Sequence, residues 1–350
     1  MKALALLSGG LDSTLAIKVL LDQGIEVEAI NFTSPFCLCG GAKGGCHAAA
    51  AAADRLGIRL HREACGQGYL DTIARPRYGY GRRMNPCLDC RIYKLNRAKE
   101  RMADIGASFL VTGEVLDQRP MSQRRDTLDI CERDTGLRGL ILRPLSARFL
   151  RPTKPELEGW VDRARLLSIR GRGRGPQIAL ARSLGVTDYP CPGGGCLLTY
   201  AGFAAKVRDL LDRGERLTPW SANLLRIGRH LRLPGGIKLV VGRREEENER
   251  LLYLAAAGTT FLESSSHPGP SALACGLLDG GSLLLAAAVV ARYADPSPGE
   301  TACLVSWRYP EKTGAGAVTV APLPAARVAQ WLIGSEAAAG RSIPPQRASC

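Results

Sequence analysis

The stretch that most constrains this chain is Ser8-Gly9-Gly10-Leu11-Asp12-Ser13-Thr14, set between the apolar run Ala3-Leu4-Ala5-Leu6-Leu7 and an amphipathic segment ending near Gln23. The order reads as strand, tight loop, helix. Two glycines let the backbone turn sharply and approach a ligand. The amides of Gly10 to Ser13, with the hydroxyls of Ser8, Ser13 and Thr14, can then surround an anion at a helix N-terminus. Ser8, Gly9, Gly10, Asp12, Ser13 and Thr14 are therefore candidate contacts to nucleotide phosphates. No GxxxxGK[ST] pattern is present and no lysine ends the turn, which excludes a Walker A loop.

SGGLDST resembles the PP-loop of the ATP pyrophosphatases, which cleave ATP between the α and β phosphates and leave an adenylated substrate. The resemblance implies ATP, with Mg²⁺ that Asp12 would help to position. The run Val27-Glu28-Ala29-Ile30-Asn31-Phe32 reads as a second buried strand, and Ile58 to His61 as a third, after a helix over Ala48 to Leu56. Strand, helix, strand at this spacing predicts an α/β fold with a doubly wound parallel sheet. Ligands sit at the carboxyl ends of such strands, so Asn31, Phe32 and Thr33 fall beside the loop, where adenine could be held. His61 reads as a surface histidine.

The 350 residues are enough for two domains, and 45% hydrophobic content with mixed charge is that of a globular chain. A net charge of +14 favours a polyanionic partner. The first apolar run is broken by SGG too early for a secretory signal. Leu283 to Ala291 is about half a bilayer span and reads as a buried helix. The expected location is the cytoplasm, where the 12 cysteines are better read as metal ligands or reactive thiols than as disulfides.

Cys37-Leu38-Cys39-Gly40-Gly41 and Cys46-His47 form a glycine-rich loop that could bind metal on spacing alone, but without zinc-ribbon spacing the favoured reading is a mobile lid with incidental thiols. Tyr78-Gly79-Tyr80-Gly81-Arg82-Arg83 has the aromatic and basic mixture that stacks on bases and contacts phosphates. It leads into Asn85-Pro86-Cys87-Leu88-Asp89-Cys90. Pro86 can open a helix, which places Cys87 near a positive dipole end that favours thiolate. On spacing alone, Cys87 and Cys90 suit thiolate chemistry, two ligands of a cluster, or half of a zinc site. Asp188-Tyr189-Pro190-Cys191-Pro192-Gly193-Gly194-Gly195-Cys196 is a tight loop that can present sulfur without side-chain obstruction.

NPCLDC, followed by a helix and then Ala107-Ser108-Phe109-Leu110-Val111-Thr112-Gly113-Glu114, resembles the PP-loop tRNA thiouridine synthetases, the 2-thiouridylases and 4-thiouridine synthetases. In that family Thr-Gly-His follows where this chain has Thr-Gly-Glu, so Glu114 is a departure that keeps a polar group at a strand end. The resemblance implies that Gly113 borders the nucleotide and that Asp12, Cys87 and Cys196 act in catalysis. It also implies a [4Fe–4S] cluster on Cys87, Cys90 and a third cysteine, Cys196 or its competitor Cys191. A cluster with three protein thiolates leaves one iron open to hydrosulfide. A persulfide on Cys87, resolved by Cys196, is the alternative.

The segment 143–182 is dense in arginine, including Arg143, Arg148, Arg151, Arg163, Arg165, Arg170, Arg172 and Arg174, and reads as the electrostatic footprint of tRNA. Gly171-Arg172-Gly173-Arg174-Gly175 is suited to wrapping phosphate. After a helix over Phe203 to Leu211, two strands are expected around Pro234-Gly235-Gly236, then a helix from Arg243. This pattern resembles the NFACT-type RNA-binding domain, with Arg229, Lys238, Arg243 and Arg244 as RNA contacts. His267 reads as a turn histidine, Trp307 and Trp331 as core, and the tail after Ser335, with Cys350, as poorly ordered. The expected organisation is a PP-loop domain over 1–200 and a smaller α+β domain over 201–350.

The combined expectation is an ATP-dependent tRNA sulfurtransferase that adenylates a uridine carbonyl and replaces its oxygen with sulfur. Sulfide or a sulfur-carrier protein would be the donor. Two alternatives stand beside it: a PP-loop enzyme acting on a small deazaguanine-type precursor, and a non-catalytic RNA-binding protein switched by nucleotide.

Overall fold

In the computed structural model the apolar runs become parallel strands. The structure describes residues 1–38, 47–187, 189, 195–296, 298–311 and 313–334. It divides into two compact units, Met1–Thr199 and the chain from Tyr200 onward.

In the first unit, β1 (Lys2–Leu6), β2 (Glu26–Thr33), β3 (Leu60–Ala64), β4 (Phe109–Thr112) and β5 (Ile141–Leu142) form one parallel sheet in the order β3-β2-β1-β4-β5. Its strands are apolar on both faces because both are covered. Ala3, Ala5, Val27, Ala29 and Val111 point into a core with residues of α1 (Leu11–Leu21) and α2 (His47–Leu56). Their neighbours Leu4, Ile30, Leu110 and Ile141 point into a second core with Leu88, Leu95 and Cys131. Those last come from α4 (Cys87–Asp104) and α5 (Arg125–Thr135); α3 (Gln67–Ala74) precedes them, and α6 (Lys154–Leu157) and α7 (Gly175–Ser183) follow. The alternation is the two-residue period of a strand sandwiched by helices. The doubly wound sheet expected from the sequence is present, and its order reverses at β1, beside β4, where such sheets bind ligands.

β3 starts two residues later than the sequence suggested. The Ile58 amide bonds to the Ala53 carbonyl at the end of α2, so the chain is still closing the helix there. His61 is also not a solvated surface histidine: its Nε2 lies 2.6 Å from Glu28 Oε2, and Lys2 Nζ donates to the same carboxylate at 2.8 Å. Together the two bonds draw the Glu28 carboxyl below its usual range.

The second unit is an antiparallel sheet with helices, in the strand order β11-β10-β8-β9-β7-β6. Its strands are β6 (Arg229–Arg232), β7 (Lys238–Val241), β8 (Thr259–Ser264), β9 (Ser271–Cys275), β10 (Cys303–Arg308) and β11 (Ala315–Val320). Its helices are α8 (Ala201–Asp212), α9 (Pro219–Leu224), α10 (Glu245–Leu254), α11 (Gly280–Arg292) and α12 (Ala325–Ala329). The expected hairpin is β6–β7, turned at Gly235 and Gly236, whose φ values of 78° and 83° lie in the region that favours glycine. The apolar segment at 283–291 lies inside α11, whose Leu283, Ala286, Ala287 and Val290 pack against Leu239, Leu262, Ala274 and Val305. Trp307 and Trp331 pack half-buried against that core. The outer edge of β6 is covered by the chain itself, since Arg232 donates to the Trp331 carbonyl and Ile333 to the His230 carbonyl. Among the described residues no helix is long and apolar enough to cross a membrane. The tail from Ser335, Cys350 included, lies outside the described residues.

Candidate nucleotide and thiol site

The glycine loop leaves β1 and enters α1 with Gly10 as N-cap, and no side chain caps the helix. The first amides of an α-helix have no partner within it. Those of Leu11, Asp12 and Ser13 therefore face the loop as donors. The hydroxyls behave differently from the sequence expectation. Ser13 Oγ and Thr14 Oγ1 both donate to the Gly10 carbonyl, at 2.9 and 3.1 Å, and Ser8 Oγ lies 3.0 Å from Ser13 Oγ. Ser13 and Thr14 are buried. These hydroxyls hold the loop's shape, which leaves the backbone amides as the loop's outward donors.

Two missing β-carbons let the surroundings close on this loop. Gly9 has φ +76°, and a Cβ there would stand 2.4 Å from the Ala48 carbonyl carbon of α2. At Gly113, just past β4, a Cβ would stand 2.5 Å from the Ser13 nitrogen and 2.6 Å from the Asp12 carbonyl. Gly113 thus lies against the backbone of the loop. The buried Nδ2 of Asn31 donates to the Leu7 carbonyl at 2.7 Å and braces the strand that leads into the loop. Phe32 packs half-buried on the α4 side of the sheet.

Asp12 is the polar centre. Its Oδ2 accepts from Gln118 Nε2 at 3.2 Å and lies 3.7 Å from an Arg174 nitrogen. Its Oδ1 is buried without a hydrogen-bond partner. A buried carboxylate oxygen lacking a donor is costly unless a cation completes it, so Asp12 fits a hard divalent ion of the Mg²⁺ type. Asp117, with φ 62°, turns the chain between β4 and Gln118 and pairs with Arg170.

The thiols gather at the same carboxyl edge of the sheet. Cys87 opens α4, where Asn85 Nδ2 donates to its Sγ at 3.3 Å. Cys90 Sγ lies 3.3 Å from the Tyr69 hydroxyl. Cys196 is strongly desolvated, which pushes its thiol up to about 12, and Cys90, Cys37 and Cys87 all lie within electrostatic range of it. Burial tends to neutralise the Lys94 ammonium, but the surrounding Cys90, Cys37 and Cys65 outweigh that and raise it. Cys87, Cys90 and Cys196 lie within electrostatic range of one another's site, as do Cys37, which the sequence reading placed in a lid, and Cys65, which it passed over. Cys37 is not an incidental lid thiol: it pairs across a β-bridge with Cys196. Cys65 follows β3 directly, and burial pushes it up to about 12. Both fall just past the carboxyl ends of parallel strands, which is the signal that could have found them. Cys39, Cys46 and Cys191 lie outside the described residues.

Among the described residues, no three His, Cys, Asp or Glu side chains are drawn together around a single metal ion. A [4Fe–4S] cluster is wider than one ion and takes thiolates. The thiols of Cys87, Cys90 and Cys196 have that donor chemistry, and Cys87 and Cys90 lie within electrostatic range of Cys196.

Three expectations are corrected. Glu114 is not a polar group offered to a substrate. It is fully enclosed, with Arg91 Nε 3.0 Å from one oxygen and Arg143 Nε and Thr112 Oγ1 3.0 Å from the other. Burial would raise its carboxyl, but Arg91 and Arg143 outweigh this and hold it below the usual range. The arginine segment is also not a uniform solvated footprint. Arg143 is buried between Glu114 and Glu132, Arg163 pairs with Glu156, Arg165 donates to the Asp22 carbonyl, and Arg170 and Arg174 reach Asp117 and Asp12. Arg148, Arg151, Arg172 and Arg182 remain exposed. In the second unit Lys238 is buried and paired with Asp209 at 2.7 Å, which removes it from any RNA surface. Arg229 stacks on Tyr293 and donates to the Gly242 carbonyl, whereas Arg243 and Arg244 are exposed.

Fold and site define a class: a doubly wound α/β domain with a glycine loop between its first strand and first helix, followed by an antiparallel α+β domain. Residues 1–134 match the family model described as the tRNA methyl transferase HUP domain, and residues 228–332 match the NFACT protein RNA binding domain. The chain is 30% identical over 127 residues to the tRNA-specific 2-thiouridylase MnmA of Marinobacter nauticus, covering 33% of this chain and 32% of that protein. It is 34% identical over 120 residues to the MnmA of Syntrophotalea carbinolica, covering 31% of this chain and 33% of that protein. The chain thus spans about a third of the length of the curated relatives it matches. Among solved structures, the U34-tRNA thiolase NcsA from Methanococcus maripaludis, with its [4Fe-4S] cluster, overlaps 65% of this chain and 73% of its own, at 21% identity and a TM-score of 0.32. The likeness to the tRNA thiouridine synthetases is thus carried by the N-terminal unit, and the likeness to the NFACT-type RNA-binding domain by the second.

Proposed function

We propose that this chain is an ATP-dependent tRNA sulfurtransferase that makes a thiouridine. The observation that carries the reading is the placement of the phosphate loop and of Cys37, Cys65, Cys87, Cys90 and Cys196 at the carboxyl edge of one parallel sheet. One such edge can activate a carbonyl and deliver sulfur to it.

The amides at the start of α1 bind the triphosphate, and Asp12 holds the divalent cation against it. Gly113 keeps β4 tight against this loop. A uridine carbonyl oxygen attacks the α phosphate and pyrophosphate leaves, a step in which the protein contributes positioning and charge neutralisation. Sulfur then replaces the adenylated oxygen and AMP departs. Cys87, Cys90 and Cys196 would hold a [4Fe–4S] cluster, which when bound supplies an iron open to hydrosulfide. Asn85 orients Cys87, and Tyr69 orients Cys90. The exposed Arg148, Arg151, Arg172 and Arg182, with Arg243 and Arg244, supply phosphate contacts for tRNA.

The test is mass spectrometry of tRNA nucleosides after anaerobic reaction with ATP and sulfide. A thionucleoside that requires ATP and is lost in Asp12→Ala is expected. Pyrophosphate release that is independent of tRNA, with no thionucleoside, refutes the reading and points to a small-molecule substrate. Bound iron and visible absorption in the anaerobic protein test the cluster separately; a colourless, iron-free and fully active enzyme refutes it.

A further inference from the structure

The run Gly171-Arg172-Gly173-Arg174-Gly175 does not lie on the surface as one piece. Arg172 is exposed, but Arg174 is half-buried and turns inward, with one guanidinium nitrogen 3.7 Å from Asp12 Oδ2. That separation is too long for a hydrogen bond. The guanidinium therefore stands at the glycine loop without its donors being used up there.

Arg174 is also the N-cap of α7, whose first turn is Gly175-Pro176-Gln177, and no side chain caps this helix. The amides of Gly175 and Gln177 have no partner within α7, and Pro176 has no N–H to offer. α7 packs on α1: Ala181, with Ile178 and Leu184, joins the core that holds Leu11, Leu15 and Ala16. The N-terminus of α7 thus lies within one arginine side chain of the N-terminus of α1, and both ends favour negative charge.

Gln177 is an independent sign of a ligand at this end. It is fully buried, yet neither its Nε2 nor its Oε1 has a hydrogen-bond partner. It stands one turn before Ala181, on the face that α7 turns to α1, and helical side chains lean toward the N-terminus of their helix. Its amide is therefore carried toward the end of α7 where Arg174 reaches Asp12. A buried amide left unpaired costs stability. Asp12 Oδ1 is buried and unpaired as well, so each of the two helices brings an unsatisfied polar group to this end of their contact. The Arg174 guanidinium, the two open amides and Gln177 Nε2 are all donors suited to phosphate oxygens. Gln177 Oε1 suits the hard cation assigned to Asp12.

We propose that Arg174 and Gln177, at the start of α7, form a diphosphate subsite that holds the β and γ phosphates of ATP against the glycine loop and retains them as pyrophosphate. The inference rests on the reading of that loop as an ATP site. When the bond between the α phosphorus and its bridging oxygen breaks, the electron pair stays on the departing pyrophosphate, and the guanidinium neutralises the charge that gathers there. An arginine that looked in sequence like part of a tRNA surface is thereby assigned to the nucleotide.

The test is calorimetry on the full-length protein with magnesium pyrophosphate and, separately, with AMP, in the absence of tRNA and sulfide. Arg174→Ala and Gln177→Met should each weaken pyrophosphate binding at least about tenfold, the worth of one charge-assisted hydrogen bond, and leave AMP binding as in the parent. Lys18→Ala removes a positive charge that pairs with Asp22 further along α1, and should change neither. Gln177→Met exchanges an unpaired buried amide for an apolar side chain of similar size, so it should melt no lower than the parent while binding pyrophosphate less well. Pyrophosphate affinity unchanged in either variant, or AMP weakened as much as pyrophosphate, overturns the proposal. So does an Arg174→Ala protein that loses affinity for tRNA and keeps it for pyrophosphate, which would make the start of α7 an RNA contact. A Gln177→Met protein that melts well below the parent assigns that amide to the fold and also overturns it. The expected pyrophosphate pattern without any thionucleoside refutes the sulfurtransferase reading alone; a parent protein that binds neither pyrophosphate nor AMP refutes the ATP site and the subsite together.

Discussion

Replacing Gly113 by alanine adds one methyl group where the backbone of the phosphate loop already stands. The new carbon would meet the Ser13 nitrogen at 2.5 Å and the Asp12 carbonyl carbon and oxygen at 2.6 Å. Contacts of about 3.4 Å or more are needed, so β4 and α1 must separate by close to an ångström. All three contacted atoms are backbone, so no rotamer relieves the clash. Overpacking of this kind costs about 1–3 kcal/mol. For a unit of this size that lowers the unfolding midpoint by roughly 2–12 °C. Because the displaced atoms carry the anion-binding amides, affinity for a non-hydrolysable ATP analogue should fall by tenfold or more in calorimetry, beyond the loss of stability. Gly66→Ala is the control: Gly66 precedes α3 in extended backbone, and a Cβ there meets nothing within 4 Å. If Gly113→Ala melts within a degree of the parent and binds the analogue equally well, the packing of β4 on the loop does not shape the nucleotide site.

Glu114→Gln leaves Arg91 and Arg143 facing a neutral amide and should destabilise by about 3–5 kcal/mol. Because the Glu114 carboxyl lies below its usual value in the fold, its stabilisation is present above the unfolded value near 4.5 and is lost as pH falls through the lower folded one; the variant's denaturant midpoint should change less than the parent's as pH drops below 4.5. Lys206 gives the same sign of pH dependence in a higher window. Burial, with Arg243 and Lys238 nearby, lowers its amine to about 7, so between pH 7 and about 10.5 the unfolded chain binds the extra proton and the second unit gains stability as pH rises. Lys206→Met should flatten that rise, followed by the tryptophan fluorescence of Trp220, Trp307 and Trp331. Arg244→Ala should weaken tRNA binding and reduce the salt slope by about 1, whereas Lys238→Ala should lower stability through loss of its buried pair with Asp209, which keeps Arg232, and leave the slope unchanged.

The parts of the fold legible in the sequence were those with a local cause. The phosphate loop follows from glycines between a strand and a helix, the parallel sheet from apolar runs buried on both faces, and the β6–β7 hairpin from two glycines at its turn. What escaped were relations between distant residues. Cys37 and Cys196 are separated by most of the first unit, and nothing near either cysteine announces the bridge. Glu114 looked available because a strand end usually is, yet Arg91 from α4 and Arg143 beyond β5 arrive to enclose it. The arginine segment read as one surface because charge is visible in sequence, while its partners at Asp12, Asp22, Asp117 and Glu156 are not. The loop at His267 was visible as a turn, but the strands β8 to β11 on its two sides and beyond were not read, and the sheet's antiparallel order emerges only in the pairing.

The segment at 331–333 that lies along β6 also acts as a guard. A sheet edge offers unpaired amides and carbonyls to any other strand, and here that edge is taken by the same molecule. A chain cut at Gln330 would keep every strand of the sheet and α12 as well, yet it would present Leu231 and its neighbours as a template for self-association. Solubility of the second unit thus depends on three residues that belong to no strand of its own sheet.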